Sequence, residues 1–158
     1  MTNIYPGQYR ISRIQLINWG TFHGYFSIPV ARKGFLITGG SGSGKSTLLD
    51  AMSAVLVPQK DLKFNAASQQ DLGRHDGRNL VSYVRGAWRQ QENAQTGEIA
   101  PEYLRTGATN SIVALTYDNG AGKQHTLIAI FRLNGGENSV SQVCLLYTSD
   151  AADERSSV

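Results

Sequence analysis

Two apolar runs in the first thirty residues are typical of β-strands. Residues 9–19 are rich in isoleucine and poor in helix formers, which predicts a strand. After a turn, the alternation over residues 25–30 predicts a second strand, antiparallel to the first. The apolar run at residues 35–38 is continuous rather than alternating, so it predicts a short strand that is covered on both faces.

Helical spacing of apolar residues appears twice further along the chain. The first set follows a cluster of glycines, and Pro58 ends the predicted helix; its members are Leu48, Leu49, Met52, Val55 and Leu56. Residues 59–78 are polar and predict a loop. The second set predicts a helix that starts near residue 80, and its members are Leu80, Val81, Val84, Ala87 and Trp88.

The second half of the chain predicts mainly β-structure. Residues 90–110 show neither the helical spacing nor the strand alternation of apolar residues and are interpreted as irregular. Residues 111–117 and 125–133 predict two strands, and the connection between them contains Asn119-Gly120, a favoured hairpin pair. We therefore expect an antiparallel hairpin in this part of the chain.

Residues 144–158, "CLLYTSDAADERSSV", follow no pattern set by the preceding strands. They also resemble the translated read-through of a sequencing adapter. We hypothesise that this tail is non-native or disordered, which leaves residues 1–143 as one structural lobe. Sequencing the same locus from an independent DNA preparation tests the hypothesis, because recovery of an identical tail would contradict it.

Composition indicates a globular domain in a reducing compartment. The 158 residues are 41% hydrophobic and 17% charged, which is typical of a folded domain with its own core. The net charge of +3 permits an anionic partner without requiring one. The single cysteine, Cys144, excludes an internal disulfide. We expect a cytoplasmic protein without a signal peptide or membrane span, since no apolar run approaches about 20 residues.

The glycine cluster carries the strongest chemical signal. Residues 39–46, "GGSGSGKS", fit the pattern G-x-x-x-x-G-K-[ST], in which glycines let successive main-chain amides point at one anion. Lys45 is expected to reach the β- and γ-phosphates, Ser46 to ligate Mg²⁺, and Thr47 to approach the α-phosphate. The predicted ATP–Mg²⁺ site therefore comprises Gly39, Gly40, Ser41, Gly42, Ser43, Gly44, Lys45, Ser46 and Thr47.

Residues that would complete hydrolysis are not evident in the sequence. Asp118 ends an apolar strand, but its hairpin position favours a turn role over a catalytic one. Residues 133–138, "LNGGEN", resemble a degenerate ABC-type signature, yet the following residues alternate like a strand, so a glycine turn is favoured. His23, His75 and His125 lack neighbours at metal-ligand spacing, and no GTPase motif follows the glycines.

Several motifs together resemble the amino-terminal half-head of SMC-like ATPases. They are "ISRIQLINWGTFHGYFSIPV", the glycine-rich segment, "NAAS" and "LVSYVRGAW". The similarity extends to the JetC family, the condensin-like ATPase subunits of Wadjet plasmid-defence systems. The resemblance implies an α/β P-loop NTPase half-domain with a mixed sheet, whose antiparallel strands flank the P-loop strand and helix.

The same resemblance implies specific partners. These are the carboxy-terminal half of the head, a second head in a homodimer, accessory condensin-like subunits and DNA. The acidic strand and the signature would come from the returning half of the head, so this chain would bind ATP without hydrolysing it alone. In this family a basic residue often occupies the turn in which this chain has Gly20.

Two other functions fit the same loop. One is the ATP-binding domain of an ABC transporter, with residues 133–138 as its signature, and the other is a nucleotide sensor that does not hydrolyse. A run of basic residues is consistent with DNA phosphate contacts, although a solvated face is favoured; its members are Lys60, Lys63, Arg74, Arg78, Arg85 and Arg89. Tyr83 and Trp88 are interpreted as helix core rather than base-stacking platforms.

Overall fold

The structure is a computed structural model that describes residues 7–64, 79–92, 97 and 99–150. The helices are α1 (Lys45–Leu56) and α2 (Leu80–Arg85), and a 3-10 turn spans Gln59–Asp61. The strands are β1 (Arg10–Trp19), β2 (Phe22–Pro29), β3 (Ala87–Glu92), β4 (Ile99–Tyr103), β5 (Thr109–Asp118), β6 (Lys123–Leu133) and β7 (Ser141–Asp150). Neither helix in these ranges has the length and apolar content needed to cross a membrane.

Five strands form one sheet in the order β2-β1-β5-β6-β7, and β3 pairs with β4 in a separate hairpin. Every pairing in the described ranges is antiparallel. This arrangement fits an α/β P-loop NTPase-like domain in outline. The parallel component of the expected mixed sheet does not occur among the described residues.

One face of the five-stranded sheet packs against the helices and forms the core. Alternate residues of the three central strands are fully or almost fully buried on this face: Ile14, Leu16, Val113, Leu115, Ala129 and Phe131. From α1, Leu48, Ala51 and Ala54 face the sheet and are buried. The two alanines let the helix backbone approach the strands closely, and burial of each large apolar side chain contributes about 1.5–3 kcal/mol. The core therefore fixes α1 on the sheet.

The strand predicted at residues 35–38 is wrong. This segment has no secondary structure, and the side chains of Phe35 and Leu36 are 46% and 83% exposed. A strand exists only where a neighbour pairs with its main chain. Within the described part of the chain no strand pairs with this segment, so its apolar pattern is not enough to make it one.

The second predicted helix is shorter than its apolar stripe suggested. Asn79 and Ser82 form a capping box at the start of α2, and Gly86 ends the helix in the left-handed conformation with φ of 69°. Ala87 and Trp88 therefore lie on β3 instead of the helix. Residues 90–110, which were predicted to be irregular, contain the end of β3, all of β4 and the start of β5. That prediction is wrong over those strands.

The two predicted strands of the second half are confirmed as β5 and β6, which pair along their whole length. β7 pairs in turn with β6, so residues 144–150 are part of the sheet rather than disordered. Most side chains of β7 are exposed, including Leu145 and Leu146. The division of the chain at residue 143 and the non-native origin of the tail stay predictions.

Candidate functional site

The glycine-rich segment forms an exposed loop that leads directly into α1. Gly42 and Gly44 have φ of 77° and 90°, a region that side chains other than glycine adopt only with strain. Gly44 also lies against Phe22 of β2, since a Cβ added to it would be 3.2 Å from Phe22 Cζ. The loop conformation therefore depends on glycine at these two positions.

The N-terminus of α1 faces this loop without a cap of its own. Gly44 is the N-cap residue, no side chain hydrogen-bonds to the first-turn amides, and the first turn contains no acidic residue. The first amides of a helix have no partner within the helix, and the helix dipole places positive potential there. An anion is therefore the natural partner for this helix terminus.

Lys45 turns its side chain over the loop. Its Nζ donates to the carbonyl oxygens of Gly39, at 2.7 Å, and Gly40, at 2.5 Å, and it lies 3.3 Å from Ser43 Oγ. The ammonium group and the uncapped amides of α1 are thus on the same loop. Four of the residues predicted for the site are brought together by these contacts.

Of the three remaining side chains of the predicted site, Ser41 is exposed, whereas Ser46 and Thr47 lie on α1 and differ in position. Ser46 is half-buried in the first turn of α1, and its residue type suits a Mg²⁺ ligand beside phosphate oxygens. Thr47 is only 7% exposed, and a Cβ added to Gly20 would be 2.6 Å from Thr47 Cγ2. The structure therefore places Thr47 toward the interior, and its contact with the α-phosphate stays a prediction.

The donors on this loop fit a polyphosphate. Main-chain amides and a lysine ammonium are the groups that hold phosphate oxygens in a P-loop, and both are present. No group of three metal-ligating side chains occurs among the described residues. Among the described residues, the Ser46 hydroxyl suits a Mg²⁺ ion that also binds phosphate oxygens, which is how magnesium commonly binds beside nucleotides.

An aromatic cluster supports the first turn of α1 from below. Trp19, at the end of β1, is fully buried and donates from Nε1 to the carbonyl oxygen of Thr47 at 3.0 Å. Its ring stacks on that of Tyr83, with centroids 4.8 Å apart and planes within 5°. The Tyr83 hydroxyl donates to the carboxylate of Asp50, which is also buried on α1. The helix that carries the site is therefore tied to both β1 and α2.

Arg105 is a residue that the sequence analysis did not single out. It is 7% exposed, and its guanidinium donates to carbonyl oxygens of α2 and of the turn after β1. Burial lowers the pKa of Arg105 below the ordinary value of arginine. The contact with Gly20 joins positions 85 residues apart, and no local pattern in the sequence indicates such a contact.

The glycine turn predicted after β6 is confirmed. Residues 134–140 connect β6 to β7, and no helix follows "LNGGEN", so the alternative interpretation as an ABC-type signature is wrong. Asp118 has the predicted turn role, because its Oδ1 accepts a hydrogen bond from the amide of Gly120. Arg32 Nη1 lies 3.4 Å from the same oxygen.

Two of the described basic residues, Arg85 and Arg89, are held by contacts within the chain. Arg85 lies over the ring of Tyr103 and donates to the carbonyl oxygen of Glu137. Arg89 forms an ion pair with Glu102 and lies over Trp88. These contacts favour a structural role for both arginines. The predicted positions Arg74, His75 and Arg78, together with "NAAS", lie outside the described residues.

The two aromatic residues predicted as helix core have different environments. Tyr83 is 4% exposed and packs between Trp19 and Phe64, so that prediction is confirmed. Trp88 is 47% exposed on β3, so the prediction is wrong for this residue. The difference arises because Gly86 ends the helix before Trp88 can join its buried face.

Comparisons with known proteins agree with the chemistry of the loop. A family model described as the P-loop containing region of AAA domain matches residues 11–71. The glutathione/L-cysteine transport system ATP-binding/permease protein CydD of Escherichia coli (strain K12) is 39% identical over 59 residues. That match covers 37% of this chain and 10% of the relative. The matches show a P-loop ATPase region in this chain and support nucleotide binding.

Proposed function

We propose that this chain binds ATP–Mg²⁺ at residues 39–47 as the Walker A half of an SMC-like ATPase head. The observation that carries the proposal is the uncapped N-terminus of α1, with the Lys45 ammonium over the glycine loop in front of it. Amides and ammonium together provide the positive environment that a triphosphate needs. Ser46 would provide a hydroxyl ligand for the Mg²⁺ that the nucleotide brings.

The SMC-like part of the proposal is supported by features outside the loop. The antiparallel pair of β1 and β2 precedes the loop, and "SYVR" lies in α2, next to the aromatic cluster under α1. Apolar side chains are exposed beside the loop and along the outer face of α1; they are Phe35, Leu36, Leu49 and Leu56. A carboxy-terminal half of the head would cover them and would give residues 35–38 the strand partner that a parallel sheet requires.

Hydrolysis would belong to the complete, dimeric head. Of the described acidic residues, Asp50 is buried and accepts a hydrogen bond from Tyr83, and Asp118 accepts one within a turn, so we assign neither of them as the carboxylate that holds the metal. In the proposed assembly this carboxylate comes from the returning half and the signature from a second head. The complete cytoplasmic protein would act on DNA together with accessory condensin-like subunits.

Calorimetric titration of the purified chain with ATP and Mg²⁺ tests the binding function. We expect saturable binding of ATP and much weaker binding of AMP, because AMP lacks the phosphates that Lys45 and the first-turn amides would contact. Phosphate release measured in the same samples is expected to stay at the background rate. Equal affinity for ATP and AMP would contradict the assignment of the loop. Sustained ATP hydrolysis by this chain alone would contradict the proposal that hydrolysis requires the other half of the head.

A second candidate is the ATP-binding domain of an ABC transporter, which the similarity to the Escherichia coli transport protein favours. The sequence of the gene beyond the codon for Val143, read from an independent DNA preparation, separates the candidates. A long heptad region would support the SMC-like head. A signature that opens a helix, followed closely by an acidic strand, would support the transporter. If both are absent, the nucleotide sensor that does not hydrolyse is favoured.

A further inference from the structure

We propose that Arg105 is a positioning residue for the nucleotide site, although it lies outside the glycine-rich loop. The inference rests on the proposed ATP binding and adds a residue on which that binding depends. In this role the Arg105 guanidinium holds the Gly20 turn, which follows β1, against α2. The Gly20 turn then supports the N-terminal end of α1. Two sets of contacts establish this connection, and the geometry of the guanidinium explains why the residue is arginine.

The first set is made by the guanidinium itself. Arg105 Nε donates to the carbonyl oxygen of Val84 at 2.8 Å, and Nη2 donates to those of Gly20 at 2.9 Å and Tyr83 at 3.0 Å. The main-chain amide of Arg105 also donates to the carbonyl oxygen of Arg85 at 3.0 Å. Carbonyl groups in the last turn of a helix lack a full set of amide partners within the helix, so the guanidinium supplies donors to them. Arg105 thus joins the end of α2 to the turn after β1.

The second set connects that turn to α1. The Gly20 amide donates to the carbonyl oxygen of Tyr83 at 2.8 Å, which holds the turn on α2 from its other side. Gly20 lies so close to Thr47 that an added Cβ would be 2.6 Å from Thr47 Cγ2. Next to it, Trp19 donates to the Thr47 carbonyl oxygen. A shift of the Gly20 turn would therefore shift the residue that follows Lys45 and Ser46.

The geometry of the guanidinium explains why this position contains arginine. The planar guanidinium has five donors in a fixed geometry, so it can bind several carbonyl groups that point in different directions. A lysine ammonium on a flexible stem cannot match that arrangement. Gly86 leaves room for the group, since a Cβ added there would be 2.6 Å from Arg105 Nη2. Arginine at 105 and glycine at 86 thus belong to one arrangement.

Arg32 provides a matched control for a purely structural arginine. Its guanidinium also donates to three carbonyl oxygens, those of Asp118, Gln8 and Asn119, each at 3.0 Å. Asp118 pairs with Arg10 at the start of β1. Trp19, at the opposite end of that strand, pairs with Phe22, against which Gly44 of the glycine loop lies. Arg32 therefore resembles Arg105 in donating to three carbonyl oxygens, although it also forms an ion pair with Asp118 and is less buried, and it lies at the other end of β1 from the proposed site.

The experiment compares Arg105→Met, Arg105→Lys and Arg32→Met in the full chain. The melting temperature of each variant is measured first. The affinity for ATP–Mg²⁺ is then measured at a temperature at which all variants are folded. We expect both methionine variants to melt at lower temperature. Only Arg105→Met should lose affinity, by about tenfold or 1.4 kcal/mol. Arg105→Lys should recover part of that affinity, because it keeps a cation with fewer well-directed donors.

The results separate failure of this inference from failure of the proposed function. If the unsubstituted chain does not bind ATP, the proposed function fails. If it binds ATP and Arg105→Met binds equally well, or if Arg32→Met loses as much affinity, the positioning role is overturned. If Arg105→Met does not fold, Arg105→Lys takes its place, with about a threefold loss expected. Unchanged affinity in that variant would then overturn the inference.

Discussion

Replacement of Trp19 by alanine is expected to lower the free energy of unfolding by about 3–5 kcal/mol. The side chain is fully buried, and it contacts the rings of Tyr83 and Phe131 with centroids 4.8 and 5.2 Å away. Alanine would leave a cavity under α1 and would remove the donor to the Thr47 carbonyl oxygen. Urea denaturation followed by circular dichroism measures the loss through the shift of the midpoint.

Trp88 provides the control for this prediction, because it is the other tryptophan of the chain. It is 47% exposed on β3, and its described ring contact is with the Arg89 guanidinium, 4.5 Å from the ring centroid. An exposed cation–π contact contributes about 0.5–1 kcal/mol, so Trp88→Ala should shift the midpoint only slightly. Comparable losses from the two substitutions would show that Trp19 does not have the core role assigned to it.

The elements that the sequence predicts correctly are those whose pattern is local. The strands β1, β2, β5 and β6 are marked by runs of β-branched, aromatic and other apolar residues, and α1 repeats its apolar residues at helical spacing. The boundaries of α1 also follow from local chemistry. Gly44 precedes the first residue of α1, and Pro58 follows shortly after its last residue. Elements with such local patterns can be predicted without knowing which element packs against them.

The elements that the sequence misses depend on residues far away or on a single position. Residues 35–38 have the composition of a buried strand, but strand formation depends on a neighbour that the described chain does not provide. Gly86 converts a predicted long helix into a short one by adopting a left-handed conformation. The β3–β4 hairpin is largely exposed, so its residues show no apolar alternation that could reveal it.

In the candidate site, too, the sequence predicts the features with a local pattern and misses those that depend on distant residues. The loop and the direction of the Lys45 side chain toward it follow from the spacing of glycines before a helix. The buried position of Thr47 does not follow, because it depends on how α1 is rotated against the Gly20 turn. Arg105 is also missed, since its acceptors come from α2 and from the start of the chain. Contacts of this kind appear only when the chain is folded.

Replacement of Lys45 by alanine is expected to weaken ATP binding by about 10- to 100-fold. The substitution removes a charge-assisted hydrogen bond to the β- and γ-phosphates, which contributes about 1.5–3 kcal/mol. Equilibrium titration with ATP and Mg²⁺ measures the change. The side chain contacts the exposed loop at Gly39 and Gly40 rather than the core, so the melting temperature should change little. Loss of affinity without loss of stability would locate the effect at the phosphates.

Lys33 supplies the control, because Lys33→Ala removes the same charge from an exposed position ahead of the loop. A general electrostatic attraction between a basic protein and a polyanion would be weakened similarly by both substitutions and would decrease as salt is added. A direct contact at Lys45 would instead make the two variants differ by at least about tenfold in ATP affinity at physiological ionic strength. Equal affinities of the two variants would contradict the phosphate contact of Lys45 and, with it, the assignment of the glycine loop as the nucleotide site.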